Sequence, residues 1–362
     1  MKNYPSCDVW QTLASSPDPL YLYGTGDGAD KILDIMTSKG IKPAGIFVSD
    51  DFYRGQVFRG FSVQPLSSLA AMSTPPLLVI SFGSHLPYLI RRIQDLSRTF
   101  RVLIPDVPVA GDTLFDLSFC ESHTQDLENA RDLLADEASR KVFDQIVHYK
   151  LTGDPASLFA SVSLKEEILS LLASHHPDSV PCYVDCGAYR GDTIEEFFRF
   201  FPFPNYSITA LEPEPGSFRK LQQAFGDDPR IRLIQAACGK QSGELILYQG
   251  RGRGTHVPSD QKTAAKTIKV PLVRLDDLSF PSPPTYLKMD IEGKEKEALL
   301  GASRLIQTDH PLMNIACYHR SEDLYELPML LHELYPGYRI YLRRHESFPC
   351  WDLNLYLIPE SM

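Results

Sequence analysis

The sequence predicts an α/β protein built from two parallel-sheet units joined by a helical stretch. Three observations carry that class. Short apolar runs such as "PLLVISF" (76–82) and "YSITAL" (206–211) alternate with amphipathic runs, as in βαβ units whose strands are covered on both faces. Between about 116 and 178 the strand signal disappears, and "ENARDLLADEASRKVFDQIVHYKL" (128–151) carries helical periodicity instead. A glycine-rich turn follows the first strand of each half, in "YGTGDGAD" (23–30) and "VDCGAYRGDT" (184–193). At ~150 residues per domain, 362 residues suit two or three such bodies.

The first unit spans 1–115. "PLYLYG" reads as a strand, and the amphipathic helix after its glycine turn closes at Gly40. "KPAGIFVSDD" is a second strand ending at Asp50 and Asp51. "PPLLVISFGSH" and "FRVLIPDVP" are further parallel strands, with a helix around "LPYLIRRIQDLS" between them. The connector, 116–178, breaks at Gly153-Asp154-Pro155, and "HHPDSVP" is the hinge into the second unit, 179–362. There the strands "PCYVDCGAY", "YSITALEPEPG", "IRLIQAACG", "TYLKMDIEG" and "PLMNIACYH" alternate with helices. "GELILYQGRGRGTH" and "IKVPLVRLDDL" read as antiparallel excursions around a glycine-rich loop, and "YRIYLRRH" with "DLNLYLIP" as a closing strand pair. Arg343 and Arg344 are expected at a solvated strand end.

Composition narrows the function. A net charge of −10 argues against a surface for bulk nucleic acid binding. The seven cysteines form no C-x-x-C pair, so they read as reduced thiols, neither a disulfide framework nor a zinc site. No apolar run approaches the ~20 residues of a spanning helix, and the first residues lack a basic start followed by an apolar core. A cytoplasmic location is the expectation.

The densest signal is "VDCGAYRGDT". Asp185 closes a strand, Gly187 and Gly191 follow, and a helix begins at Asp192 and Thr193. Glycines let a ligand approach the backbone, and a helix start offers free N–H groups. Glu212, with Pro213 after it, ends the next strand, where a carboxylate accepts ribose hydroxyls. The spacing is D-x-G-x-x-x-G, not the G-x-G-x-x-G of a dinucleotide site. A carboxylate beside the turn repels a pyrophosphate and suits a ligand with an ammonium and a sulfonium. S-adenosylmethionine fits that description better than NAD.

"YLKMDIEGKE" (286–295) would set Lys288, Asp290 and Glu292 in one row at the end of the fourth strand. His319, after "NIACY", ends the fifth strand beside Asp290. Methyl transfer asks a protein to align the acceptor oxygen and remove its proton, so Lys288, Asp290, Glu292 and His319 are the catalytic candidates. Asp290, Glu292 and His319 are also ligands of the type magnesium or manganese takes, but a metal is not predicted. Arg251, Arg253 and His256 lie in a loop on the expected acceptor side, either as substrate-binding contacts to a phosphate or carboxylate of a nucleotide-linked or anionic sugar or as a solvated basic loop.

These segments, with "VPLVRLDDL" and "EKEALLGA", resemble in order the FkbM family of S-adenosylmethionine-dependent methyltransferases over about 181–360. The resemblance includes the K-x-D-x-E-G motif at Lys288, Asp290, Glu292 and Gly293. It implies a class I methyltransferase sheet, Rossmann-like and seven-stranded with the last strand antiparallel, and usually O-methylation of sugars or other hydroxyls. Carried over by position, Asp185, Gly187, Ala188 and Gly191 would form the methionine-side loop, with Tyr189 either capping the ligand or facing solvent. Glu212 would hold the ribose, and Ala236 and Ala237 would lie near the adenine. The first unit resembles the Rossmann-like N-terminal domain of sugar-nucleotide acetyltransferases, which leaves two roles open: holding a sugar-nucleotide, or packing, including a homodimer contact. The expected partner is a small-molecule or glycan acceptor. A non-catalytic ligand-binding protein and an NAD-dependent sugar oxidoreductase remain the alternatives.

Overall fold

The structure, a computed structural model, describes residues 4–173, 181–200, 205–249, 255–256 and 266–360. In the first unit, strands β1 (Leu20–Tyr23), β2 (Gly45–Val48), β3 (Val57–Phe58), β4 (Phe61–Pro65), β5 (Leu77–Ile80) and β6 (Arg101–Leu103) form a sheet ordered β3-β4-β2-β1-β5-β6. Every pairing is parallel except the β3–β4 hairpin. Sequence periodicity did not show that hairpin, because two-residue β3 is too short to display an alternation. Strand β2 stops at Val48, and Asp50 and Asp51 begin a short 3₁₀ turn instead. Strands β2 and β5 are buried throughout, as apolar runs require when helices cover both faces.

The second unit holds β7 (Cys182–Cys186), β8 (Ser207–Leu211), β9 (Ile231–Ile234), β10 (Ala237–Cys238), β11 (Gly243–Gln249), β12 (Thr255–His256), β13 (Lys266–Val273), β14 (Tyr286–Met289), β15 (Leu312–Ala316), β16 (Tyr338–Arg344) and β17 (Leu353–Pro359). Seven of these form the sheet β16-β17-β15-β14-β7-β8-β9. Strand β17 is antiparallel to both neighbours, and the remaining pairings are parallel. This is the order and polarity of a class I methyltransferase sheet. A separate four-stranded sheet, β10-β13-β11-β12, stands beside it.

Helices between Leu117 and Ala173 link the two sheets. One apolar core runs through all three parts, including Phe47, Leu78 and Ile80 of the first sheet, Phe143 and Ile146 of the connector, and Leu287 and Ile315 of the second sheet. Two buried cations fasten it. Lys150 in the connector pairs with Asp106, beyond β6, at 2.5 Å. Arg344 is fully buried and donates to Ser161 Oγ at 2.8 Å, Leu158 O at 2.7 Å and Ser347 O at 3.0 Å. Arg343 is buried too, pairing with Asp136 at 2.6 Å. The expected solvated strand end is therefore a joint between connector and sheet. Among the described residues, no helix is long and apolar enough to cross a membrane.

Candidate active site

Strand order in the second sheet reverses between β7 and β14, and at their carboxyl ends a cavity of about 670 Å³ opens. Such a switch point is where open α/β sheets bind ligands.

The glycine turn forms one wall. Asp185 is fully buried at the end of β7, and the Thr193 hydroxyl donates to its Oδ2. Its Oδ1 has no aligned hydrogen-bond partner among the described residues. Burial raises this carboxyl, opposed by Lys288. Gly187 adopts φ +85°, and a Cβ there would stand 1.9 Å from the Asp290 carbonyl oxygen. Only glycine lets the two loops touch. Tyr189 is left-handed at φ 47° and its amide donates to Glu212 Oε2 at 2.9 Å. Gly191, at φ +96°, leaves room for the Phe225 ring, which a Cβ would meet at 2.2 Å. The helix Asp192–Phe200 follows. Ala188 is buried beneath the turn. The Arg190 guanidinium stacks on the Tyr189 ring at 4.7 Å, and both residues line the cavity.

Glu212, just past β8, is 7% exposed and also accepts from the Glu214 amide at 2.8 Å. Burial dominates and pushes its carboxyl up to about 7, with Glu214 and Asp185 adding repulsion. Strand β9 ends earlier than expected, so Ala236 follows it and Ala237 opens β10. Both still line the cavity with Pro213, as do Leu245 and Leu247 of β11. Those leucines were not singled out in the sequence, because the excursion that carries them packs back over the sheet edge only in three dimensions.

The charged row is only partly a row. Strand β14 stops at Met289, and Glu292 turns left-handed at φ 56°. Lys288 Nζ and Asp290 Oδ2 remain 3.7 Å apart. Burial would lower the Lys288 ammonium, but Asp290 and Asp185 hold it above its usual value. Burial would raise Asp290, yet Lys288, His319 and Tyr318 keep it well below the carboxylate range. The Tyr318 hydroxyl donates to its two oxygens at 3.2 and 3.4 Å. Glu292 points outward, its side chain 47% exposed. Partial burial, Asp290 and Glu295 raise its carboxyl, while His319 and Lys31 of the first unit draw it back.

His319 lies beside Asp290 as expected, Nε2 to Oδ1 at 3.2 Å, and 3.8 Å from Glu292 Oε2. Its Nδ1 stands 3.1 Å from Oε1 of Glu295, a residue missed in the sequence. Glu295 is 1% exposed and also accepts the Ile291 amide at 2.8 Å. An acid at the first helical position after Glu-Gly was the signal available. Burial would lower the imidazole, but Glu295 and Asp290 raise it well above its ordinary value. His319 thus sits between Asp290 and Glu295, which both favour its protonated form, although its Nδ1 approaches Glu295 without an aligned hydrogen bond.

Ligand atoms of Asp290, Glu295 and His319 lie within 4.8 Å of one another. The two acids face opposite ring nitrogens of His319. Arg251 and Arg253 lie outside the described residues. His256 is placed only by its backbone, opposite Tyr248 in the β11–β12 pair.

Residues 185–340 match the model of the methyltransferase FkbM domain. The chain carries an FkbM methyltransferase domain. That makes the protein a methyltransferase. The crystal structure of methyltransferase FkbM from Methylobacillus flagellatus KT is similar over 98% of this chain and 94% of its own, with a TM-score of 0.71 and 21% identity. That likeness extends the shared fold to the first unit and the connector. Weaker likenesses cover the methyltransferase half. A precorrin-6y C5,15-methyltransferase from Geobacter metallireducens GS-15 has a TM-score of 0.34 and 14% identity over 55% of this chain and 91% of its own. Fibrillarin from Aeropyrum pernix has a TM-score of 0.33 and 15% identity over 53% and 74%. No curated protein matches the chain.

Proposed function

We propose that the protein transfers a methyl group from S-adenosylmethionine to a hydroxyl of a sugar, glycan precursor or related metabolite. The observation that carries the cofactor is the pair Asp185 and Glu212 at adjacent strand ends around a glycine turn. Asp185 is buried with one oxygen unpartnered by any aligned donor, the state of a carboxylate built to receive an ammonium. Glu212, raised by burial, regains stabilisation when two ribose hydroxyls donate to it. Ala236, Ala237, Leu245 and Leu247 supply an apolar wall that suits an adenine.

The bound cofactor supplies an electrophilic methyl on a positive sulfur, so the protein need only position the acceptor and dispose of its proton. Lys288, Tyr318 and His319 fix the Asp290 carboxylate in its charged form, facing the sulfonium side. Glu292 is the acid of the motif that stays open to the cavity and holds the acceptor hydroxyl.

Isothermal titration with S-adenosylmethionine and S-adenosylhomocysteine tests this reading. Binding of both is expected, weakened at least tenfold by Asp185→Asn. Failure of both ligands, with NAD binding at the second unit instead, overturns it.

A further inference from the structure

The first unit enters this cavity at one described side chain, His85, in the loop after β5. His85 lines the cavity with Lys288, Asp290, Glu292 and Tyr318, and is solvent-exposed. Its loop is pinned to the loop between β16 and β17. Gly83 lies under Trp351, where a Cβ would come within 2.2 Å of the indole. Ser84 and Phe348 exchange backbone hydrogen bonds at 2.7 and 3.0 Å, and the rings of Phe82 and Phe348 meet edge-on at 5.3 Å. Strand β16 runs parallel to β15, so its following loop arrives at the same carboxyl edge as the cavity.

That loop ends at Asp352, left-handed at φ 54°, whose carbonyl accepts from the His345 amide at 3.0 Å and Asn354 Nδ2 at 3.1 Å. Burial and Asp290 raise the Asp352 carboxyl, while His345, Lys288 and His85 draw it down.

We infer that His85, carried into the cavity by the first unit, forms its acceptor subsite and takes a hydroxyl of a neutral, polyhydroxylated acceptor such as a sugar ring. The inference rests on the methyl transfer proposed above. Asp290 and Glu292 line the cavity with His85, and its cations are engaged elsewhere: Lys288 by Asp185 and Asp290, Arg190 on the Tyr189 ring, and Lys294 at 3.7 Å from Glu297. A phosphate or carboxylate beside the reacting oxygen would meet repulsion from both acids. A hydroxyl can donate to a carboxylate and accept from an imidazole N–H. Supplying that imidazole from the other unit makes acceptor orientation depend on how the two units dock.

The test follows the ring signal of His85 in the full chain, assigned by its loss in His85→Gln and titrated with pH. The protein is saturated in turn with S-adenosylmethionine and S-adenosylhomocysteine, which differ by one methyl and one positive charge. A histidine facing that methyl titrates lower with the sulfonium, by on the order of half a pH unit. Identical titration with the two bound ligands overturns the placement. A panel of neutral sugars, nucleotide-linked sugars, sugar phosphates and uronic acids is then assayed with methyl-labelled S-adenosylmethionine. Methylation at a hydroxyl remote from charge is expected, with His85→Gln raising KM about tenfold, the loss of one hydrogen bond to a charged group. The affinity for S-adenosylhomocysteine should not change. Products methylated only beside an anionic group overturn the acceptor class. If neither sulfur ligand binds at all, the methyl-transfer reading fails and not this one.

Discussion

The two sheets end alike and are finished differently. At the carboxyl edge of the first, Tyr23 and Ser49 share a hydrogen bond at 2.6 Å, Arg92 joins Ser49 at 2.8 Å, and the Ser81 hydroxyl donates to Tyr23 O and Gly24 O at 3.1 Å. Neutral hydroxyls and one cation satisfy one another, as packing demands. At the edge of the second, Asp185, Glu295, Lys288 and His319 are buried charges, and Asp185 Oδ1 and Glu295 Oε2 have no aligned partner among the described residues. Burying incompletely matched charge costs stability, so that edge is shaped for something other than stability. The same βαβ architecture thus ends in matched neutral hydroxyls in one half and in incompletely matched buried charge in the other.

The largest effects should come from breaking buried ion pairs, one in each half. Removing one partner of such a pair costs about 3–5 kcal/mol. Asp106→Ala, which strands Lys150, and Glu295→Ala, which strands one side of His319, should both lower unfolding free energy by that order in a urea titration. They should part in function. Under conditions where both variants are folded, S-adenosylhomocysteine should bind normal strength in Asp106→Ala and weakly in Glu295→Ala, because His319 then no longer fixes Asp290. Equal binding in both would mean that the Glu295–His319 pair is only structural.

Glycines give the next contrast. At Gly187 a side chain meets the Asp290 backbone at 1.9 Å, whereas at Gly26, φ +135°, a Cβ meets nothing within 4 Å. Gly187→Ala combines backbone strain with overpacking, about 3 kcal/mol together, and should abolish cofactor binding. Gly26→Ala carries strain alone, about 1–3 kcal/mol, and should spare cofactor binding. A Gly187→Ala protein that binds normally would show that the two loops can part without cost.

This pair also shows what was legible in the sequence. Gly187 and Gly191 announced a ligand turn because Asp185 and Glu212 supplied independent agreement at fixed distances along the chain. The first glycine cluster had no such partner, and in the structure its space is filled by neighbouring protein atoms, Phe82 and Ser81 against Gly24 and Gly28. The succession of strands and helices followed from alternating apolar and amphipathic runs, whereas the seven-stranded sheet was implied by the family resemblance. Tyr318, Glu295, Asp352 and His85 were not legible. They reach the site through a loop register, a first helical turn, a hairpin and a contact between units, none of which has a period. Glu292 misled for the opposite reason, since strand alternation was extended three residues beyond the end of β14.

Acidity separates the edges more gently. Glu212 is raised from 4.5 to about 7 and Asp323, beside Glu295, from 3.8 to about 7, both chiefly by burial. A raised acid keeps its proton in the fold while the unfolded chain has lost it. Its contribution to stability is therefore complete below about pH 4 and disappears as pH climbs through about 7. Unfolding free energy should fall across that window, and Glu212→Gln should remove part of the slope. Cofactor binding should run the other way, because ribose hydroxyls donate to the ionised carboxylate. Affinity for S-adenosylhomocysteine should rise through pH 7 in the native protein and stay flat in Glu212→Gln. A slope unchanged by that substitution would move the ribose contact elsewhere.

The smallest contrast is the most discriminating, because it changes one oxygen in each half. Tyr23→Phe removes the hydroxyl shared with Ser49, and Tyr318→Phe removes the donor to Asp290. Each hydroxyl also bonds a charged group, Tyr23 accepting from Arg92 at 3.3 Å and Tyr318 donating to Asp290 at 3.2 Å, so both variants should be destabilised by similar amounts, about 1.5–3 kcal/mol. In the first edge the loss ends there: Ser49 keeps Arg92, and no group of the cavity moves. In the second edge Asp290 loses a donor that helps hold it charged, so its carboxyl should titrate higher. Turnover should then fall several-fold on the acid side in Tyr318→Phe and remain native in Tyr23→Phe at every pH. If both pH–rate profiles superpose on the native one, Tyr318 belongs with Tyr23 as a packing residue, and Lys288 with His319 alone sets the charge of Asp290.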